Sequence, residues 1–307
     1  MLTRRKQIAA AVEGTEGSPE TLTAAEAKFL AYDPKVTFDV PAFKRNPVRA
    51  TLSRMASVMG VQPAKITFGL ELRGSGTAGT APAWTIFLRA CGFGETPDPG
   101  NIVTWVPASS SIPSLTIACY HDGVIKTMVG CRGTVKFVHK VGEPVMMEFE
   151  FTGVYYSWAD GALLSGISFE STVPPKFQNA SLLMHSYAAI ISALEFDMAN
   201  TVSLRDDSNS SGGLLSAVIV ERNPVGTFDP EAVLNATHDF MAKLIAGTLA
   251  AFTETIGSEA GNYFVITAPK VQYIKIDEGD RNGIATDDIG FELSLNTGDD
   301  EFSIVQH

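Results

Sequence analysis

The stretch that decides the fold is Lys65–Gly94, which reads KITFGLELRGSGTAGTAPAWTIFLRACGFG. In its first part apolar and polar residues alternate, the pattern of a strand with one buried and one solvent-exposed face. The apolar members are Ile66, Phe68, Leu70 and Leu72. The run Gly74–Thr80 then contains three glycines and no large side chain, which predicts a mobile loop. Pro82 and Gly92 bracket a short apolar segment that we expect to be a helix.

Further strands are predicted on both sides of this unit. Leu115–Tyr120 and Val124–Val129 flank the pair Asp122-Gly123, a strong signal for a β-hairpin. Met146–Trp158 alternates acidic and apolar residues in the same way as the first strand. Strands at this spacing predict a predominantly antiparallel β fold with some helix, an α+β sandwich rather than a parallel sheet.

At 307 residues the chain is longer than most single domains, so two domains are expected. The sequence Val173-Pro174-Pro175 interrupts the strand pattern and places the boundary between 1–175 and 176–307. Residues 1–35 mix loop formers with a few helix formers and are predicted to form an extended arm. In the second half, Asp229-Pro230-Glu231 precedes apolar residues at three- and four-residue steps, which predicts a long helix over about 230–257.

Strands that carry acids on one face occur twice in each half, which suggests an internal duplication. The same pattern also fits ordinary half-exposed strands of an acidic protein. The acids concerned are Glu71, Glu148, Glu150, Glu195, Asp197 and Glu292. We expect all of them to face away from the core.

Composition excludes several functions. A formal net charge of -11 argues against a protein that grips nucleic acid through its phosphates. The three cysteines and five histidines show no metal-ligand spacing, so neither a metal nor another cofactor is expected. No phosphate-binding loop or nucleophile elbow is recognisable, so no catalytic residue is predicted. The longest apolar region, Phe240–Phe252, is too short for a membrane span, and the start of the chain lacks a proper signal peptide.

Three motifs taken in order resemble the major tail tube proteins of long-tailed, siphovirus-type bacteriophages. They are ELRGSGTAGTAP at 71–82, W-x-x-x-L-R-A-C-G-F at 84–93, and DG-x7-C-R-G-T at 122–134. The resemblance covers residues 13–160 well and the remainder loosely.

The resemblance implies a structural virion protein whose stacked rings form a helical tube. Each tail-tube domain would contribute four strands to an inner β-barrel, so two domains per chain imply homotrimeric, pseudo-hexameric rings, and one domain implies hexamers. DNA would pass through the lumen without specific binding and be ejected into the host. Partners at the tube ends would be the tape measure, terminator and distal tail proteins, after synthesis in the host cytoplasm and assembly into the virion tail.

Within that framework the six acids are predicted to line the lumen and repel DNA. Gly74, Ser75, Gly76, Thr77, Ala78, Gly79 and Thr80 are predicted, together with the N-terminal arm, to contact the next ring and to become ordered only on assembly. An adhesin-like binding module with a ligand site on its loops is the alternative, and an enzyme of unrecognised chemistry is disfavoured.

Overall fold

The computed structural model describes residues 2–307, which form almost entirely antiparallel β-structure with two short α-helices. The elements of the first half are β1 Lys6–Val12, β2 Tyr32–Phe38, β3 Ala42–Phe43, β4 Val58–Met59, β5 Pro63–Glu71, α1 Thr85–Ala90, β6 Phe93–Asp98, β7 Ile102–Pro107, β8 Leu115–His121, β9 Val124–Lys140 and β10 Met146–Asp160. Those of the second half are β11 Leu183–Met184, β12 Ala193–Asp197, β13 Asn200–Asp206, β14 Leu214–Arg222, β15 Val225–Phe228, α2 Phe240–Ala246, β16 Ala250–Ile256, β17 Phe264–Arg281, β18 Ile284–Leu293 and β19 Ser303–Gln306. The predicted fold class is confirmed.

The central feature is a run of eight antiparallel strands in the order β2-β5-β10-β9-β12-β15-β18-β17. The first four strands come from the first half of the chain and the last four from the second. The halves join where β9 pairs with β12. The sheet is therefore continuous across the middle of the chain. Beyond β17 it continues through β19, β7 and β6, and in residues 2–307 no strand pairs with the outer edge of β2 or of residues 272–281 of β17.

The alternation in the first strand is realised as predicted. Ile66, Phe68 and Leu70 on β5 are buried, while the residues between them are more exposed. Phe68 lies directly opposite Phe149 of β10, and both rings pack on Phe87 of α1. The short helix, which follows the strand and the loop in the sequence, thus covers the apolar side of the sheet.

The two halves repeat the same order of elements. In the first half β2, the β3–β4 hairpin, β5, α1, β8, β9 and β10 follow one another, and in the second half β12, the β13–β14 hairpin, β15, α2, β16, β17 and β18 do. The pairing also repeats, since β8 packs beside β1 and β9 as β16 does beside β11 and β17. The hairpin β6–β7 has no counterpart and pairs with β19 of the second half. This order supports the internal duplication, and the division at residue 175 stays a prediction.

The predicted long helix at 230–257 is wrong. The helix α2 has only seven residues, and Ala250–Ile256 forms strand β16 instead. The Asp229 carboxylate does not cap a helix, because it accepts hydrogen bonds from the backbone N–H groups of Ser192 and Ala193. Gly247 in a left-handed conformation ends α2.

Residues 2–35, most of the predicted extended arm, are attached to the body of the chain, and their contact with the next ring stays a prediction. Strand β1 pairs along its whole length with β8. The carboxylate of Glu13 is buried and accepts hydrogen bonds from Ser114, Thr116 and the backbone of Gly130. These contacts fasten the segment to its own chain.

The glycine-rich loop Gly74–Thr80 also makes hydrogen bonds within the chain, and the expectation that it orders only on assembly stays a prediction. The Gly74 N–H donates to the side chain of Asn262, and the Gly76 N–H donates to the Gly261 carbonyl. A Cβ atom at Gly74 would lie 1.9 Å from the Gly261 oxygen. Glycine is thus required here by the close approach of two backbones.

Candidate functional surface: the polar face of the eight-stranded sheet

One face of the eight-stranded sheet carries a polar or charged residue on every strand, with a few apolar residues among them. Directly paired residues of neighbouring strands project to the same side of a sheet. One register row crosses all eight strands through Tyr32, Gly69, Glu148, Lys136, Asp197, Val225, Glu292 and Gln272. The adjacent row contains Glu71, Met146, Val138, Glu195, Thr227, Gly290 and Lys275.

These two rows contain five of the six acids that the sequence analysis singled out. The sixth, Glu150, lies in the next row opposite Thr67 and Thr134. The fold therefore brings Glu71, Glu148, Glu150, Glu195, Asp197 and Glu292 onto one continuous surface. Residues more than 200 positions apart in the chain share this face because the β9–β12 pairing aligns the two halves in register.

The opposite face is apolar and forms the core. A row on that side contains Phe137, Phe196, Gly226, Phe291 and Tyr273, four of which have large buried side chains. Gly226 is required in this row, because a Cβ atom there would lie 2.3 Å from the ring of Phe291. With one side committed to aromatic packing, the acids have only the other side available.

Lysines lie among the acids, which sequence reasoning missed. Lys65 pairs with Glu150 at 3.2 Å, and Lys136 pairs with Glu195. The hydrogen bond and charge of Glu195, together with the charges of Glu148 and Asp197, raise the pKa of Lys136 above its ordinary value. Among residues 2–307, Glu148 and Glu292 form no ion pair. The surface is thus a mixed array of charges with unpaired acids.

The edge of this face is built differently at Glu71. Its carboxylate pairs with Arg73 and accepts a hydrogen bond from the Tyr32 hydroxyl. That hydrogen bond raises the pKa of Tyr32. Arg73 also reaches the backbone carbonyls of Glu170 and Thr172. Glu71 therefore helps to fasten the segment around 170 and is less available to solvent than the other acids.

A second unassigned surface is the segment between β2 and β5. Residues 41–54 are exposed without exception, and Val48 and Leu52 are fully so. The cations on this segment are Lys44, Arg45, Arg49 and Arg54, and no acid lies between residues 40 and 60. We call residues 41–59 the basic arm. Its charge was visible in the sequence, but it has no periodicity that indicates a projecting hairpin.

Comparison of the chain with known protein families shows which family it belongs to. A family model described as phage tail tube protein matches residues 3–294, nearly the whole chain and both of its halves. The chain belongs to the phage tail tube protein family. It is thus related to structural components of phage tails, as the motif resemblance indicated. No curated protein matches it.

Within residues 2–307, no three His, Cys, Asp or Glu side chains are grouped so that they could hold a metal ion. None of the helices in the same residues has the length and apolar character needed to cross a membrane.

Proposed function

We propose that the chain forms the phage tail tube as stacked rings of three copies, with the polar face of the eight-stranded sheet lining the lumen. The observation that carries this proposal is the open eight-stranded sheet with one polar and one apolar side. Among the described residues 2–307, strand β2 pairs only with β5, and residues 272–281 of β17 pair only with β18. Unpaired strand edges favour pairing with another chain.

The internal repeat indicates how neighbouring copies meet. Inside the chain β9, the last strand of the first four, pairs with β12, the first strand of the next four. The equivalent pairing between copies would join β17 of one chain to β2 of the next. Three chains then close a barrel of about 24 strands. At roughly 4.8 Å spacing and 40° tilt the backbone diameter is about 50 Å, wide enough for a DNA duplex after the side chains are added.

The mixed charge of the face suits a passage for DNA. A duplex carries one negative charge per about 1.7 Å, and free lysines on the wall would bind it by releasing counterions. Here Lys65 and Lys136 are paired with Glu150 and Glu195, so they are neutralised before DNA arrives. Unpaired Glu148 and Glu292 add net repulsion. The wall would therefore keep DNA mobile.

The basic arm is our candidate for contact with the next ring. In the part of the chain that the structure describes, Arg49 and Arg54 bond only to residues of the arm itself, and Val48 and Leu52 are fully exposed. The rest of the protein is strongly acidic. The Gly74–Thr80 loop stays a predicted participant, because its outer residues Ser75 and Thr77 are exposed or half-buried. Removing Ser75–Thr80 should then change tube length or yield.

The test is to purify the protein alone and image it by electron microscopy. Rings and tubes are expected, and a reconstruction should contain three chains per ring. A globular species that never polymerises would contradict the tube and favour the adhesin-like alternative. Six chains per ring would contradict the contribution of eight strands by each chain.

A further inference from the structure

Residues 28–31, which come directly before β2, have the side-chain pattern of a strand but no strand beside them. Phe29 is buried, whereas Lys28 and Leu30 on either side of it are exposed. In the part of the chain that the structure describes, no strand pairs with these residues, and the backbone groups of Lys28, Phe29 and Leu30 form no hydrogen bond. Backbone groups in folded proteins are normally paired. This segment therefore lacks a neighbour in the single chain.

The internal repeat shows what the equivalent residues do in the second half. The register row of the polar face begins at Tyr32 in the first half and at Asp197 in the second. Counted back from these two positions, residues 28–31 correspond to residues 193–196 of β12. The latter pair with β9 on one side, and all but the first also pair with β15 on the other. The two segments agree in burial, since the second residue of each is buried.

The edge that would complete residues 28–31 is present on β17, the counterpart of β9. Among residues 2–307, its residues 272–281 pair only with β18. Within the chain, Lys136 of β9 lies opposite Asp197 of β12. The same arrangement between two copies, with allowance for the extra residue at the bulge after Tyr273, gives three opposite pairs: Gln272 with Tyr32, Lys275 with Leu30, and Asp277 with Lys28.

The end of the β17–β18 hairpin has too little positive charge of its own. Asp277 lies directly opposite Asp288, and Glu278 lies directly opposite Asp287. Like charges in such positions repel each other. Burial raises the pKa of Asp287, and the charges of Glu278 and Asp288 raise it further. Lys275 forms an ion pair with Asp277, so one cation serves four acids.

The surface beside residues 28–31 has the complementary character. Lys28 is exposed, and Lys6 lines an adjacent groove together with the exposed Phe169. The β17–β18 hairpin in turn carries the exposed apolar side chain of Ile284. The two surfaces therefore match in charge as well as in apolar character, which favours their association.

We propose that residues 28–31 of one copy become a strand by pairing with residues 272–277 of a second copy in the same ring, with Lys28 opposite Asp277. The proposal rests on the tube function and specifies the segment and the register through which two copies meet. Pairing would satisfy the backbone groups of two unpaired edges at once. It would also place a cation beside Asp277 and Asp288, whose repulsion it offsets.

A disulfide tests the register. Directly opposite residues of antiparallel strands have Cβ atoms about 4.5–5.5 Å apart, so a small adjustment brings them within reach of a disulfide. Lys28→Cys with Asp277→Cys should therefore form a bond between copies when tubes are oxidised. The three native cysteines are buried and should not compete. The control is Lys28→Cys with Glu278→Cys, because successive side chains of a strand project to opposite faces.

On a non-reducing gel, oxidised tubes of the first variant should give covalent dimers and trimers, at least about tenfold more than the control. Both variants should form tubes when reduced. A bond within one chain, which migrates as a monomer, or equal cross-linking in the two variants would overturn the register while leaving the tube function intact. A wild-type chain that never forms tubes would overturn both.

A charge exchange tests the role of Lys28. Lys28→Glu adds a third acid beside Asp277 and Asp288 at every contact between copies, so the tube yield should fall about three- to tenfold. Adding Asp277→Lys to this variant should restore the yield, because a pair of opposite charge forms again. Lys176→Glu changes an exposed cation outside both strands and should leave the yield unchanged. Wild-type yield from Lys28→Glu, or no recovery with Asp277→Lys, would contradict the pairing of these two residues.

Discussion

At the scale of single residues, the polar face depends on local charge pairing. Lys136 lies directly opposite Glu148 on one side and Asp197 on the other, and it also pairs with Glu195. Exposed pairs of this kind contribute little to folding, typically about 0–1 kcal/mol each. Their effect on a passing polyanion is therefore separable from their effect on stability.

The first prediction is that charge reversal on this face impedes DNA without preventing assembly. With Glu148→Lys, Glu150→Lys and Glu195→Lys combined, Lys65 and Lys136 lose their partners and the wall gains free cations. DNA ejection from particles that carry this protein should slow or stall, and added salt should relieve the effect. The measurement is the ejection rate against salt concentration.

A matched control reverses three acids elsewhere. Glu20→Lys, Glu221→Lys and Glu259→Lys make the same change in net charge at positions outside the eight-stranded sheet, and ejection should remain normal. Normal ejection from particles with the wall variant would place these acids outside the lumen.

The second prediction concerns two buried histidines beside α2. The His185 ring stacks on Tyr273, and the His238 ring stacks on Tyr187. Burial lowers the pKa of both histidines, and the nearby positive charge of Lys243 lowers it further. Because the folded pKa lies below the ordinary value, full stability holds above about pH 6.5 and is lost as the pH falls through the folded pKa.

Urea unfolding of the free chain between pH 7.5 and 5 measures this loss. His185→Phe with His238→Phe keeps both ring stacks but removes the titrating groups, so the loss of stability on acidification should be smaller than in the wild type. If the free energy of unfolding changed equally with pH in the wild type and the variant, the two histidines would have no part in the loss of stability at low pH.

At the scale of elements, the glycine-rich loop Gly74–Thr80 is positioned by the close approach of the Gly74 backbone to the Gly261 carbonyl. The third prediction is that Gly74→Ala destabilises the free chain by about 1–3 kcal/mol, because the new methyl group would overlap the Gly261 carbonyl. The midpoint of urea unfolding reports this loss. Gly94→Ala meets only ordinary contacts at 3.7 Å or more and should have a much smaller effect. Equal midpoints for the two variants would show that the loop is not held as described.

The basic arm gives the fourth prediction. Arg45→Glu, Arg49→Glu and Arg54→Glu change only exposed residues, so the stability of the free chain should stay within about 0.5 kcal/mol of the wild type. Tubes should become shorter or separate into single rings, since the arm would now be repelled by an acidic neighbour. Tube length by electron microscopy is the measurement.

The control for the arm reverses three other exposed cations, Arg4, Lys140 and Lys176. Because the net charge changes equally, tube lengths close to wild type in this control would assign the effect to the arm. Wild-type tube lengths in the arm variant would remove the arm from ring stacking.

At the scale of the whole molecule, the two halves are interlocked as well as repeated. The β6–β7 hairpin of the first half extends the second half's sheet through β19. His139 of β9 and Glu254 of β16 form a fully buried pair at 3.0 Å across the halves. Replacing Glu254 by alanine removes this contact and leaves a cavity between the halves, which lowers the free energy of unfolding. The fifth prediction is that Glu254→Ala destabilises both halves in one unfolding transition.

Differential scanning calorimetry checks the fifth prediction. A single, lowered transition is expected because the halves share one sheet and one core. Two separate transitions, with only the second half affected, would instead indicate independent domains.

The sequence by itself determined the features that depend on local periodicity. Strict alternation at Lys65–Arg73 placed Phe68 inward and predicted strand β5, and Asp122-Gly123 predicted the β8–β9 hairpin. Alternation also determined that the six acids face away from the core, since a strand cannot bury both of its faces here. The three family motifs, at 71–82, 84–93 and 122–134, lie in or beside these locally determined segments.

Only the tertiary structure decided which strands meet. The segment at 250–256 is compatible with both a helical and a strand period, and it became β16 because β17 and β11 offer backbone partners. Alternation turns Glu254 inward in that strand, and folding brings its carboxylate to 3.0 Å from the ring nitrogen of His139, over 100 residues away. Likewise the basic arm and the β13–β14 hairpin occupy equivalent places in the repeat. Only the hairpin packs on the body of the chain, where Glu16 bonds to Arg205 and Ser216 and where Arg222 pairs with Asp299 and Glu301. Long-range pairing of this kind leaves no local pattern in the chain, because its energy depends on residues that only folding brings together.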